Sequence, residues 1–152
     1  MVARTLIVVL CLLVSVPAPA EDTPAWAKWR AGADWLSTGL DVTAIGVESW
    51  QNWHAVDRKK AYTHQALRVG IAVAAAEITK LFVHRTRPDA SDHKSFFSEH
   101  TALAAASKGF SLEVNVPLTM AVGYLRMAAA KHYPSDVGVG AAVGEVLSHA
   151  IP

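Results

Sequence analysis

Lys80, Arg87, Ser98, His100, Arg126, His132 and Asp136 are the side chains whose types and spacing could do chemistry, and they fall in three short segments. In "KLFVHRTRP", residues 80–88, six residues separate Lys80 from Arg87, and Pro88 forces the backbone of the arginine before it out of a helix. In "SFFSEHTALAAAS", residues 95–107, Ser98, Glu99 and His100 stand in a row at the start of a small-residue helix. In "RMAAAKHYPSD", residues 126–136, Arg126 precedes His132 by six positions and Asp136 follows it by four. Serine, acid and histidine in succession invite a catalytic reading, yet neighbours in sequence are badly placed to act on one another. Each segment also has a plain structural explanation. Lys80 can pair with Glu77 one turn earlier, Arg87 can cap the carbonyls of the preceding helix, and a lone His132 is more often a surface or hydrogen-bonded histidine than a catalyst.

The elements that must position these groups are all helices. Thr23-Pro24 has the form of an N-cap followed by proline at the first helical position. All five tryptophans fall between Trp26 and Trp53, a bias that fits either an interfacial belt against a membrane or, the preferred expectation, aromatic packing of a first helical layer onto the core. Asp57 to Lys60 is a polar break. The spacing then predicts a helix from about Ala61 to His84, with Ile71, Ala74/Ala75, Ile78 and Leu81/Phe82 as its apolar stripe. Pro88 and the polar stretch 89–94 stop it. A third helix is expected from Ser98 to Lys108, a fourth after Asn115-Val116-Pro117 to about Ala130, and a fifth from Pro134 nearly to the end. No strand-like alternation or hairpin turn pair is present, so the fold class is all-α, a compact bundle of about five helices. Gly140 and Gly144 allow a neighbouring helix to approach closely.

The 152 residues, 52% of them hydrophobic, allow one domain with a real core. Residues 1–20 have the pattern of a secretory signal peptide: Arg4 is the only charge, Leu6 to Val16 is apolar, and Ala18-Pro19-Ala20 supplies small residues for cleavage, which leaves residues 21–152 as the domain. An uncleaved amino-terminal anchor is the alternative. Cys11 lies in the leader, so the exported domain has no thiol, disulfide or cysteine-ligated metal. The 14 basic residues, one of them Arg4, face 13 acidic ones, and the balance gives no bulk attraction to nucleic acid or anionic lipid. Recognition of an anion must come from local clustering. Glu113, Arg126 and Glu145 interrupt the later apolar runs before any reaches the 18 or so residues of a spanning helix, which favours a soluble or peripheral protein.

Taken together and in order, K-x(6)-R-P, S-x-H-T and R-x(5)-H-x(3)-D resemble the three-part signature of the type 2 phosphatidic acid phosphatase superfamily, which also contains vanadium haloperoxidases and bacterial acid phosphatases. The resemblance covers residues 80–136 and extends into "KHYPSDVGVGAAVG". It implies a phosphatase-like helical domain in which Lys80, Arg87, Ser98 and Arg126 bind phosphate. His132 is then the nucleophile that forms a phosphohistidine, and Asp136 accepts a hydrogen bond from its other ring N–H, fixes the tautomer and stabilises the charge that develops. His100 protonates the leaving oxygen and later takes a proton from the attacking water. No metal or other cofactor is required. Each role meets a need of phosphoryl transfer: anion neutralisation, a positioned nucleophile and a proton source. The helix start after Ser98 adds backbone N–H groups suited to an anion.

One position departs from the family's usual proline-serine-glycine-histidine, which here is Phe97-Ser98-Glu99-His100. A carboxylate about 5 Å from a phosphate charge at an effective dielectric near 20 is repelled by about 3 kcal/mol, on the order of a hundredfold in binding. Glu99 is therefore expected to face solvent in the first helical turn or to pair with Arg85 or Lys94. Leu125 stands where many relatives have serine. Asp89, Asp92 and His93 are expected in a solvated loop rather than around a metal. The expected function is an exported, metal-independent phosphatase of the bacterial periplasm acting on a phosphomonoester or diphosphate. Its partners would be a phosphorylated small molecule or a lipid headgroup, not nucleic acid, with peripheral membrane contact through residues 26–53. The alternatives are a phosphate-binding or interaction domain impaired by Glu99 and, less expected in so small a chain, a vanadate-dependent haloperoxidase.

Overall fold

The computed structural model describes residues 24–152; the expected leader of residues 1–20, with Cys11, and the expected cap Thr23 lie outside them. Five helices follow in order: α1 Pro24–Trp53, α2 Arg58–Phe82, α3 Glu99–Ala106, α4 Leu112–Ala128 and α5 Pro134–Ala150. No strand occurs among the described residues, where the bridge between Arg85 and Lys94 is isolated. Local chemistry sets the helix ends. Asp57 accepts the N–H of Lys60 at 3.0 Å to cap α2, and Ser98 caps α3. Pro134 stands at the start of α5, where its missing N–H has no helical partner to lose. α4 begins at Leu112, earlier than expected, and runs through Pro117. So close to the start, the proline costs a single intrahelical hydrogen bond.

The chain folds up and down. Near the end of α1 the carboxylate of Glu48 accepts the N–H of Lys108 at 3.0 Å, beyond the end of α3. Arg68 in α2 donates to the carbonyl of Ile151, beyond the end of α5, at 2.9 Å. α3 and α5 lie closest: a methyl group on Gly140 would strike the carbonyl of Ser98, and one on Gly144 the carbonyl of Ala102. That approach seats the first turns of both helices side by side. The core between them is small-residue packing of Ala72, Ala76, Ala102 and Ala106 with Phe97 and Leu147.

Two expectations about facing are overturned. α2 turns Gln65, Arg68, Ala72 and Ala76 inward and leaves Ile71, Ile78, Leu81 and Phe82 from 43% to 78% exposed. Its apolar stripe therefore lies on the outside. The tryptophans do not pack into the core either, since Trp35, the most open of them, is 77% exposed. α1 instead turns in Ser37, Asp41 and Glu48 beside Ala33 and Ala44. Asp34, Asp41 and Glu48, spaced by seven, each meet a basic side chain from another element: Arg126, His100 and Arg68. These pairings hold α1 against the other helices; Asp41 and Glu48 are buried, where a carboxylate without a partner is costly, while the Asp34 side chain stays 43% exposed.

Candidate active site

His132 sits in the turn between α4 and α5 and is buried. Its Nδ1 lies 2.5 Å from the backbone carbonyl of Ser95. A carbonyl only accepts, so Nδ1 carries the proton and Nε2 keeps its lone pair. Burial, then the charge of Arg126, then those of Arg87 and His100 push the imidazole down to about 3 from its ordinary value, against the Ser95 carbonyl, which favours the cation. The ring is a neutral base at physiological pH. The same influences bring together groups from all three sequence segments: Arg87, His100, Arg126 and His132 share one electrostatic neighbourhood.

The expected partnership of Asp136 with His132 is not what forms. Asp136 is fully buried, and its Oδ1 accepts from Arg85 Nη1 at 2.5 Å. Its Oδ2 accepts from Ser95 Oγ at 2.5 Å and from the N–H of Tyr133 at 3.0 Å. The carboxylate sits in the first turn of α5 and faces that helix's own N-terminal N–H groups, which commits it to capping. It still reaches the histidine indirectly, because the Ser95 it grips presents the carbonyl that orients the imidazole. Arg85 completes this clamp, donating also to Ser135 Oγ at 2.8 Å and lying over the Tyr133 ring at 4.2 Å.

His100, in the first turn of α3, places Nδ1 2.5 Å from Asp41 Oδ2. Its Nε2 is left for other work. Arg126 is buried, donates through Nη1 to Asp34, and has Ser37 Oγ at 3.4 Å. Its Nε and the Oδ1 of Asp41 are buried without a hydrogen-bond partner among the described residues. Arg87 donates through Nε to Asp92 Oδ1 at 2.7 Å, which fixes the fork and leaves the terminal nitrogens at its tip.

Ser98 and Lys80 are less open than expected. The Ser98 hydroxyl is completely buried, 2.9 Å from Thr101 Oγ1, and serves the helix cap. Lys80 Nζ reaches Glu77 at 2.5 Å and Glu99 at 3.3 Å. Glu99 thus neither faces bulk solvent alone nor pairs with Arg85 or Lys94. It turns to Lys80, the first cation of the first motif, and shares its charge with Glu77. Of the loop residues, Asp89 pairs with Lys131 at 2.6 Å, and His93 Nδ1 lies 2.9 Å from Thr86 Oγ1.

Two contributors escape a motif search. Ser95 acts on the histidine through its backbone, which no side-chain pattern marks. Asp41 is on α1, far from every motif, although the seven-residue spacing of Asp34, Asp41 and Glu48 in a Trp-rich apolar helix was a signal that one face of α1 meets cations. Comparison of the chain with protein-family models, with curated protein sequences and with solved structures returns no match.

Proposed function

We propose that the chain is a metal-independent phosphatase of the type 2 phosphatidic acid phosphatase kind, hydrolysing a phosphomonoester or diphosphate through a phosphohistidine. The observation that carries this reading is His132 itself: a neutral imidazole with Nε2 free, set in a cationic surround by Arg87 and Arg126. Neutral nitrogen is the form that attacks phosphorus, and the arginines offset the charge on the non-bridging oxygens. The Nε2 lone pair forms the N–P bond as the P–O bond to the leaving group breaks. Nδ1–H, held by the Ser95 carbonyl, stabilises the imidazolium this creates. His100, backed by Asp41, gives its Nε2 proton to the leaving oxygen. It then takes a proton from the water that attacks phosphorus, the N–P bond breaks, and phosphate leaves. Substrates are a lipid phosphate or a small soluble ester, met after export, with the Trp-bearing helix α1 as the membrane contact.

A second reading has its own support in Lys80. With its ammonium between Glu77 and Glu99, one expected phosphate ligand is already neutralised. That favours a phosphate-binding or interaction domain of weakened catalysis. Hydrolysis of para-nitrophenyl phosphate and of phosphatidic acid, with and without chelator, separates the two. Activity that survives chelator and disappears in His132→Ala supports the phosphatase; wild type no faster than His132→Ala ends it.

A further inference from the structure

Arg85 stands at a position that K-x(6)-R-P leaves unspecified, two residues before Arg87. In the fold it lies between α2 and α3 and joins the first sequence segment to both of the others. From the second segment, the N–H of Ser95 donates to the Arg85 carbonyl at 3.0 Å. Toward the third, Arg85 Nη1 donates to Asp136 Oδ1 at 2.5 Å and to Ser135 Oγ at 2.8 Å, and the guanidinium lies 4.2 Å from the centre of the Tyr133 ring.

These bonds close on themselves. Ser95 Oγ donates to the other oxygen of Asp136 at 2.5 Å, so three hydrogen bonds link Arg85, Ser95 and Asp136 in a ring. Ser95 and Asp136 are fully buried. Ser95 is thus held by its backbone N–H and by its hydroxyl, and its remaining polar group, the carbonyl, is the one that His132 Nδ1 meets at 2.5 Å. A carbonyl fixed in direction fixes the donor opposite it.

Arg85 controls this ring because Asp136 brings a charge to it. Among the described residues Arg85 is the only cation in an ion pair with that carboxylate. Without the guanidinium, Asp136 would keep an uncompensated charge away from water, and would take up a proton or turn toward another donor. Either change weakens its hold on the Ser95 hydroxyl. The Ser95 carbonyl is also the only hydrogen-bond partner of the His132 ring among the described residues. A ring that loses it can exchange Nδ1–H for Nε2–H, and Nε2 then has no lone pair to offer.

We propose that Arg85 is a positioning residue, which through Asp136 and Ser95 keeps the proton of His132 on Nδ1 and the lone pair on Nε2. Its effect on phosphate release rests on the phosphatase reading; its effect on the tautomer does not. The tautomer is read by nitrogen NMR of the full chain labelled in histidine, with the His132 signals assigned by their loss in His132→Asn. Wild type is expected to show a protonated Nδ1 and a bare Nε2. Arg85→Ala should move both signals toward the other tautomer and lower kcat for para-nitrophenyl phosphate roughly a hundredfold, with KM within about threefold. Arg85→Lys should recover most of both, because one nitrogen makes both side-chain hydrogen bonds and an ammonium can stand in for it.

A guanidinium that only braced the fold would, on removal, lower the denaturant midpoint and leave the His132 signals where they were; that result overturns the proposal. If Arg85→Ala does not fold, Ser95→Ala cuts the same ring at the hydroxyl and keeps the carbonyl, and unchanged His132 signals there overturn it equally. In the double variant of Arg85→Ala and Ser95→Ala, kcat no lower than in the worse single supports one shared ring, whereas fully additive losses overturn it. If the wild type releases no phosphate, the phosphatase reading falls and the His132 signals alone decide.

Discussion

Asp41 Oδ2 lies 2.5 Å from His100 Nδ1, joining the middle of α1 to the first turn of α3 across fifty-nine residues of sequence. The carboxylate is buried while the imidazole stays partly open, 25% exposed, so the pair is anchored at one end and available at the other. It gives His100 one tautomer when neutral, with Nδ1–H toward the acid and Nε2 toward the site. It also supports the positive charge of the proton-donating form. If His100 serves the leaving group, Asp41→Asn should lower kcat roughly a hundredfold with a smaller change in KM, because the amide keeps the shape and loses the charge. Circular dichroism should be unchanged. Equal kcat in the variant would remove Asp41 from the mechanism.

Glu99 is the second test. It shares Lys80 with Glu77, so the ammonium that an anionic substrate would seek is held between two carboxylates. Glu99→Gln removes the charge and keeps the length of the side chain, while Glu99→Gly restores the bare backbone. Both should lower KM for a phosphomonoester by roughly tenfold or more, as expected for relief of about 1.4 kcal/mol of repulsion. A gain in Glu99→Gly alone would instead assign the handicap to backbone shape.

Acid stability follows from His132. Its folded value is about 3, below the ordinary 6.5, because burial and the neighbouring arginines oppose its charge. Between those two values the unfolded chain binds a proton that the folded one does not. The contribution to stability is therefore complete above pH 6.5 and is lost as pH falls toward 3, at up to about 1.4 kcal/mol per pH unit. Denaturant midpoints measured from pH 7 to pH 4 should fall accordingly in the wild type and less steeply in His132→Asn. Parallel curves would mean that another group controls the acid transition.

Much of this architecture is legible in the sequence, and the parts that are not share a physical cause. Helical spacing, Pro88, Pro134 and Ser98 mark where helices start and stop, whereas Asp57, which reads as part of a polar break, caps α2 and starts it at Arg58 rather than near Ala61. Periodicity reveals that Ile71, Ile78 and Leu81 share a face of α2; it does not say whether that face looks in or out. Here Ala72 and Ala76 fit the narrow space beside α3, and the large residues do not. Within the candidate site, residue types announced the arginines and histidines. The orienting contact on His132 comes from a backbone carbonyl, and Asp136 was claimed by the cap of its own helix, choices that only the folded chain makes.

The turn that carries His132 into place rests on Ala130, whose φ is 55°, in the left-handed region that glycine adopts freely. Its N–H donates to Met127 O at 2.9 Å, and the next N–H, of Lys131, donates to Arg126 O at 3.1 Å, closing the end of α4. From outside, the N–H of Asp89 donates to the Ala130 carbonyl at 3.1 Å, and the Asp89 carboxylate holds Lys131. These bonds fix the left-handed turn and hence the direction in which the chain reaches His132. A side chain there costs about 1–2 kcal/mol over glycine, while glycine gives back part of that through unfolded-state entropy. Ala130→Gly should therefore stabilise the protein by about 0.5–1 kcal/mol and leave phosphate release unchanged. Ala130→Val, with a branched Cβ at positive φ, should destabilise it by about 1–2 kcal/mol beyond alanine. Denaturant unfolding of the two variants decides the point: stabilities in the reverse order would mean that the turn is not held left-handed.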